Sequence, residues 1–265
     1  MGSMDVHLLD RGSMSIDLNY PLEGAVTATE SNPNPDAVRA DGPVFNLVIE
    51  HPDATVLWDT GSHPEAGDGY WPAEIYDAFT HTDASEHDLP TALGERGFSL
   101  DDIDAVVQSH LHLDHAGGLR HFAGSEVPIY VHEQELKHAY FGATTGTDSA
   151  YILDDFHHDL NWEPLYGDGG YLFEGIDWLH LPGHTPGHTG LLVERNSAED
   201  LLVVGDLAYS SVNYEHEHPM GRDLLHSRQD WWASLRRCKE LEKRRALEVV
   251  YGHDPEQVAH FPPTF

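Results

Sequence analysis

Ser109-His110-Leu111-His112-Leu113-Asp114-His115-Ala116-Gly117-Gly118 is the stretch that decides how this chain is read. An apolar, β-branched run, Ile103 to Val107, precedes it and reads as a buried strand; a Gly-Gly turn and a short helical pattern follow. Side chains two residues apart leave a strand end in the same direction, so His110 and His112 can hold one cation together. Asp114 and His115 turn the corner toward a second. Imidazole nitrogen and carboxylate oxygen suit borderline divalent metals: zinc, manganese, cobalt or iron.

The chain holds 21 histidines in 265 residues, so one such motif can arise by chance. Three further donors argue against chance, because each follows its own strand-like run. They are His184 in Leu181-Pro182-Gly183-His184, Asp206 in Leu201-Leu202-Val203-Val204-Gly205-Asp206, and His253 in Val249-Val250-Tyr251-Gly252-His253. Five histidines and two aspartates at strand ends make a complete donor set for two metals. His188, four residues after His184, is left outside it.

With these residues in view, the chain resembles the metallo-β-lactamase superfamily over nearly its whole length. Within that superfamily it resembles most the N-acyl homoserine lactone lactonases, on the strength of Trp58-Asp59-Thr60-Gly61, Gly205-Asp206-Leu207-Ala208-Tyr209 and Tyr251-Gly252-His253-Asp254-Pro255-Glu256-Gln257. The resemblance implies an α/β fold, an αβ/βα four-layer sandwich with the metals at strand ends between two sheets. It implies that His110, His112 and His184 hold a first metal and Asp114, His115 and His253 a second, with Asp206 bridging. Asp59 would orient ligands from behind. Two such cations, zinc first among the candidates, share a water and present it as hydroxide to a lactone carbonyl. Tyr209 would donate to the developing oxyanion and Asp114 would pass a proton to the leaving ring oxygen.

Alternatives stay open: another lactone, ester or thioester hydrolase of the same superfamily, or a histidine-rich metal-binding protein without catalysis. Glutathione-thioester hydrolases carry a helical domain after the last ligand, where only twelve residues remain here. Periplasmic β-lactamases need an export signal, and the sequence shows none. Persulfide dioxygenases share part of the ligand pattern but not the tyrosine loop in this form.

Met1 to Met4 reads as an expression scar, leaving 5–265 as a single domain. No apolar run approaches the ~20 residues of a membrane span. Cys238, the sole cysteine, excludes an internal disulfide and fits a reducing interior. Acidic residues number 46 against 14 Lys and Arg, a formal net charge of −32. The acids are spread along the chain, which points to a cytoplasm at high salt rather than to a basic partner. A nucleic-acid partner is not expected, since phosphate binding needs clustered cations. The expected ligand is a small lactone or ester.

Val6 to Leu9, Val44 to Glu50 and Thr55 to Trp58 read as strands, with Arg11 to Ala40 irregular. From that irregular stretch the resemblance offers Met14, Ile16 and Tyr20 as pocket walls. In the long 61–90 segment Trp71, Tyr76 and Phe79 either line an apolar pocket or form a local packing cluster, and His63, His81 and His87 are expected in solvent. Arg228 to Arg245 shows the clearest helical stripe, through Trp231, Leu235, Cys238 and Leu241. Its outer face carries Arg236, Arg237, Lys239, Lys243, Arg244 and Arg245, a basic island suited to a second copy of the chain in a homodimer or to nearby acids of its own.

Overall fold

Alternation along the strands decides the layering. In the strand Asp200–Gly205, Leu201 and Val203 face one apolar cluster while Leu202 and Val204 face another, and Leu191, Leu192 and Val193 split the same way. A strand buried on both faces needs a layer on each side. The computed structural model, which describes residues 4–195, 199–262 and 264, supplies those layers. The first three residues of the leading scar lie outside the described residues.

The first sheet has six strands in sequential order: β1 (Asp5–Asp17), β2 (Arg39–His51), β3 (Ala54–Trp58), β4 (Ala105–Val107), β5 (Ile129–His132) and β6 (Trp162–Leu165). The first three are antiparallel, and β3 to β6 run parallel. The second sheet is ordered β11-β10-β9-β8-β7, built from β7 (Gly169–Phe173), β8 (Ile176–His180), β9 (Thr189–Val193), β10 (Asp200–Gly205) and β11 (Leu247–Tyr251). The helices are α1 (Ala73–Ala78), α2 (Leu89–Glu95), α3 (Glu133–Thr145), α4 (Leu153–Phe156), α5 (Ser211–Glu215), α6 (Arg228–Glu242) and α7 (Pro255–His260).

Val6, Leu8, Leu47, Ile49, Val56 and Val107 meet Ile176, Trp178, Leu191, Val193, Val203 and Val250 between the sheets. Outside the first sheet, Leu57, Val106 and Ile129 pack on Leu93, Ala139 and Phe156 of the helices. Outside the second, Leu202 and Val249 pack on Trp231, Leu235 and Cys238 of α6. The result is the αβ/βα four-layer sandwich. None of the helices among the described residues is long and apolar enough to cross a membrane.

Two expectations need correction. Residues 11–17 and 39–43 are not irregular: β1 and β2 continue through them, pairing Ser13 with Pro43 and Ile16 with Ala40. A register shift between Asp10 and Ser13 breaks the alternation that would have revealed the strand. His63 and His81 are buried, not solvated. His63 stacks on Tyr70 with ring centroids 3.6 Å apart, and His81 Nδ1 lies 2.8 Å from Ser62 Oγ. Of the two readings open for Trp71, the structure has local packing: it is core, 1% exposed.

The basic island on α6 meets its own acids. Lys239 lies 3.2 Å from Glu215, Lys243 lies 2.6 Å from Glu240, and Arg245 pairs with Asp200.

Candidate metal centre

Strand ends from both sheets converge on one point. β3 ends at Trp58, so Asp59 sits at its mouth; β4 ends at Val107 and delivers His110 to His115. From the second sheet, the turn after β8 brings His184, β10 ends beside Asp206, and β11 ends beside His253. All seven expected donors come together there. Their atoms form three close groups: His110-His112-His184, His110-His115-Asp206 and Asp114-His115-His253, each within 4.8 Å.

Asp206 lies between two triads of donors. Its Oδ2 is 3.4 Å from His184 Nε2 and 4.0 Å from His110 Nε2. Its Oδ1 is 3.2 Å from His253 Nε2 and 3.5 Å from His115 Nε2. One carboxylate thus offers one oxygen to each triad. Both oxygens are buried with no hydrogen-bond partner, as are Asp114 Oδ2, His115 Nε2 and His253 Nε2. Buried polar atoms left without partners are costly, and five converging on one point are the signature of a site that takes cations.

The outer nitrogens of the ligand rings are tied down, which turns the inner ones to the centre. His115 Nδ1–H donates to Asp59 Oδ2 at 2.9 Å, His184 Nδ1–H to the Leu224 carbonyl at 2.6 Å, and His253 Nδ1–H to the Pro43 carbonyl at 2.9 Å. His112 is the exception: its Nδ1 is the inward atom, 3.0 Å from His184 Nε2. Asp59 also accepts from the backbone N–H and the hydroxyl of Ser109, both at 2.7 Å. It holds a left-handed backbone, φ 57°, that costs a non-glycine residue energy and that the surrounding hydrogen bonds maintain.

Burial, and then the neighbouring imidazoles, hold His110 and His112 well below the usual imidazole range; burial also lowers His184. Neutral imidazoles keep the lone pair a cation needs. At His115 and His253 burial acts the same way, but the carboxylates of Asp206 and Asp114 outweigh it and raise both. Negative potential strong enough to draw a proton there also draws a divalent cation.

Tyr209 is 6% exposed and lies beside the centre, its ring 4.5 Å from that of His253. Burial and the charges of Asp206 and Asp114 push its hydroxyl well above the usual phenol range, so it remains a donor. A cavity of about 490 Å³ opens over His112, Asp114, His184 and Tyr209, walled by Met14, Tyr20 and Phe79. A second, of about 270 Å³, adjoins Tyr209 and His253 and is lined by Ile16, Leu18, Leu22 and Val212.

Two supporting residues escape the sequence. His188 is fully buried, its pKa lowered to about 3 by burial, and its Nε2 accepts the Asp206 backbone N–H at 3.1 Å. Its contact with the centre is through the Asp206 backbone. Glu135, in the first turn of α3, is fully buried beside the same centre. Nothing in its helical context marks it, since acidic residues are common there. By contrast, the Glu215-His216-Glu217-His218 run is used elsewhere: Glu215 accepts from Tyr251, and His218 lies 2.9 Å from the Glu23 carbonyl.

The comparisons agree with this geometry. The model of the metallo-beta-lactamase superfamily matches residues 39–253. N-acyl homoserine lactonase AiiB of Agrobacterium fabrum is 35% identical, covering 95% of this chain and 94% of that protein. An N-acyl homoserine lactonase of a Bacillus species is 30% identical over 82% of this chain and 83% of its own length. Among solved structures, an N-acyl homoserine lactone hydrolase with N-hexanoyl-L-homoserine at its catalytic metal center superposes with a TM-score of 0.84 at 23% identity, covering 99% of this chain and 98% of that one. AidC, a dizinc quorum-quenching lactonase, superposes at 0.68 with 19% identity over 100% and 90%. With its strand-end donors and its sandwich in place, the chain belongs to the metallo-beta-lactamase superfamily.

Proposed function

We propose that this protein is a binuclear metal-dependent hydrolase that opens the lactone ring of N-acyl homoserine lactones, a quorum-quenching activity. The observation that carries this is Asp206, with one unpartnered oxygen turned to each donor triad, next to a protonated Tyr209 at the floor of an apolar-walled cavity. His110, His112 and His184 would hold the first cation and Asp114, His115 and His253 the second, with the Asp206 carboxylate available to each. Zinc suits the imidazole-rich set.

Cations held there would supply Lewis acidity toward a water and the scissile carbonyl. The chain's own groups do the rest. The Tyr209 hydroxyl donates to the carbonyl oxygen as it gains negative charge. The Asp114 carboxylate takes up the proton that the attacking water gives up and delivers it to the departing ring oxygen. Met14, Tyr20 and Phe79 take the acyl chain and keep bulk water off the reacting carbonyl. The similarity to AiiB supports the lactone as substrate.

The acidic surface and the sole, buried Cys238 support a cytoplasmic protein of a high-salt organism. The test is a panel of lactones, thioesters, β-lactams and phosphodiesters offered to metal-loaded protein at high salt. Preferential opening of N-acyl homoserine lactones supports the proposal. Faster turnover of a thioester or a phosphodiester would replace it with another hydrolase of the superfamily.

A further inference from the structure

Glu135 occupies an unusual position for a carboxylate. It is fully buried, and both oxygens are saturated by donors from three separate segments. Oε1 accepts from the Leu111 backbone N–H at 3.0 Å and from the Tyr151 hydroxyl at 3.0 Å. Oε2 accepts from the Thr185 hydroxyl at 2.6 Å and from the Gly187 backbone N–H at 3.2 Å. Leu111 lies between His110 and His112, and Thr185 follows His184. The Tyr151 ring in turn lies 4.6 Å from that of His112. One side chain therefore joins the two loops that together supply one triad.

The chemistry fits a carboxylate and nothing else of that size. Four donors converge on it, and an ionised carboxylate alone offers four acceptor sites and no hydrogen. An amide would turn an N–H toward either the Leu111 or the Gly187 backbone N–H, neither of which can accept. Contact is also close on the backbone side: a Cβ at Gly187 would lie 2.1 Å from the nitrogen of Glu135, so only glycine lets the loop seat against α3.

Each triad has a buried carboxyl side chain behind it, one on a ligand ring and one on the ligand loops. Behind the second, Asp59 accepts from Ser109 and His115. Behind the first, a set of three imidazoles, the Glu135 carboxyl group ties the two supplying loops together.

We propose that Glu135 is a positioning residue for the first triad, His110, His112 and His184, locking together the two loops that supply it. This rests on the two-metal proposal above but not on the identity of the substrate. Groups behind metal ligands typically change affinity 10–100-fold when altered.

The experiment is stepwise removal of cobalt(II) from the holoprotein by graded chelator, read by elemental analysis and visible absorption. Glu135→Gln should release one of its two equivalents at about 10–100-fold lower chelator concentration than wild type, with the other released as in wild type. The ion that remains should show the absorption of the His112→Ala protein, which is damaged at the same triad. Thr185→Val removes one donor while leaving charge and backbone, and should weaken the same equivalent by a smaller factor. Equal weakening of both equivalents, or wild-type retention of both, would overturn the proposal. So would an unfolded Glu135→Gln protein together with wild-type behaviour in Thr185→Val. A protein that binds two cobalt ions but opens no lactone would refute the proposed substrate and leave this inference standing. Wild-type protein that never holds two would refute both.

Discussion

The backbone N–H of His253 donates to the carbonyl of Tyr209 at 2.8 Å, and their rings stand 4.5 Å apart. These residues follow the neighbouring parallel strands β11 and β10, so the contact carries the sheet past its edge into the metal centre. The position of Tyr209 is thus fixed by its backbone and ring, not by its hydroxyl. Tyr209→Phe should keep its metal content while turnover falls. Loss of one oxyanion donor typically costs ~10²–10³ in rate, less where a cation polarises the same oxygen. Steady-state kinetics with parallel elemental analysis check this. Unchanged kcat on every lactone tested would make Tyr209 a wall residue only.

A second buried acid lies outside the centre. Asp155, on α4, is 1% exposed and accepts the Tyr70 hydroxyl at 2.8 Å. Burial pushes its carboxyl up to about 7, with Tyr70 and Arg120 pulling the other way and Asp154 adding to the rise. Such a group stays protonated in the folded chain where the unfolded chain has released its proton. Its favourable contribution is complete below the ordinary carboxyl range and is lost as pH rises toward 7. In urea unfolding at graded pH, wild type should therefore lose stability relative to Asp155→Asn between about pH 4 and pH 7, by on the order of a few kcal/mol. Parallel curves for the two proteins would show that Asp155 ionises as freely folded as unfolded.

Salt should set the stability of the whole chain. Fourteen Lys and Arg cannot neutralise 46 acids, and the pairs formed on α6 are exposed ones, each contributing little. At about 1 M salt the Debye length falls to ~3 Å and the mutual repulsion is screened. Thermal melts across a potassium chloride series should show Tm rising from low to molar salt, with bound metal partly replacing salt. A flat or falling Tm would contradict the high-salt proposal.

How much was legible in the sequence depended on where the signal lay. The donors were readable because each follows a short apolar strand, and a strand end fixes where the next residues point. β10 and β11 were readable for the same reason: Leu201 to Val204 is a continuous apolar run, and Leu247 to Tyr251 is interrupted only by Glu248. The far half of β1 was hidden by the bulge at Asp10, and β6 by Pro164, which removes the N–H that a strand pattern presumes. Glu135 and His188 were illegible for another reason. Their partners on the converging loops lie 18 to 52 residues away, and only the folded chain brings those loops to one point.

The most direct test is the rate of N-hexanoyl homoserine lactone opening as metal is added back to stripped protein, plotted against bound equivalents. With Asp206 turned to both triads, the rate should stay low through the first equivalent and reach its plateau at two. Asp206→Asn should show neither the second equivalent nor the plateau. Full turnover at one equivalent would contradict the binuclear centre, and no turnover at any loading would contradict the lactonase itself.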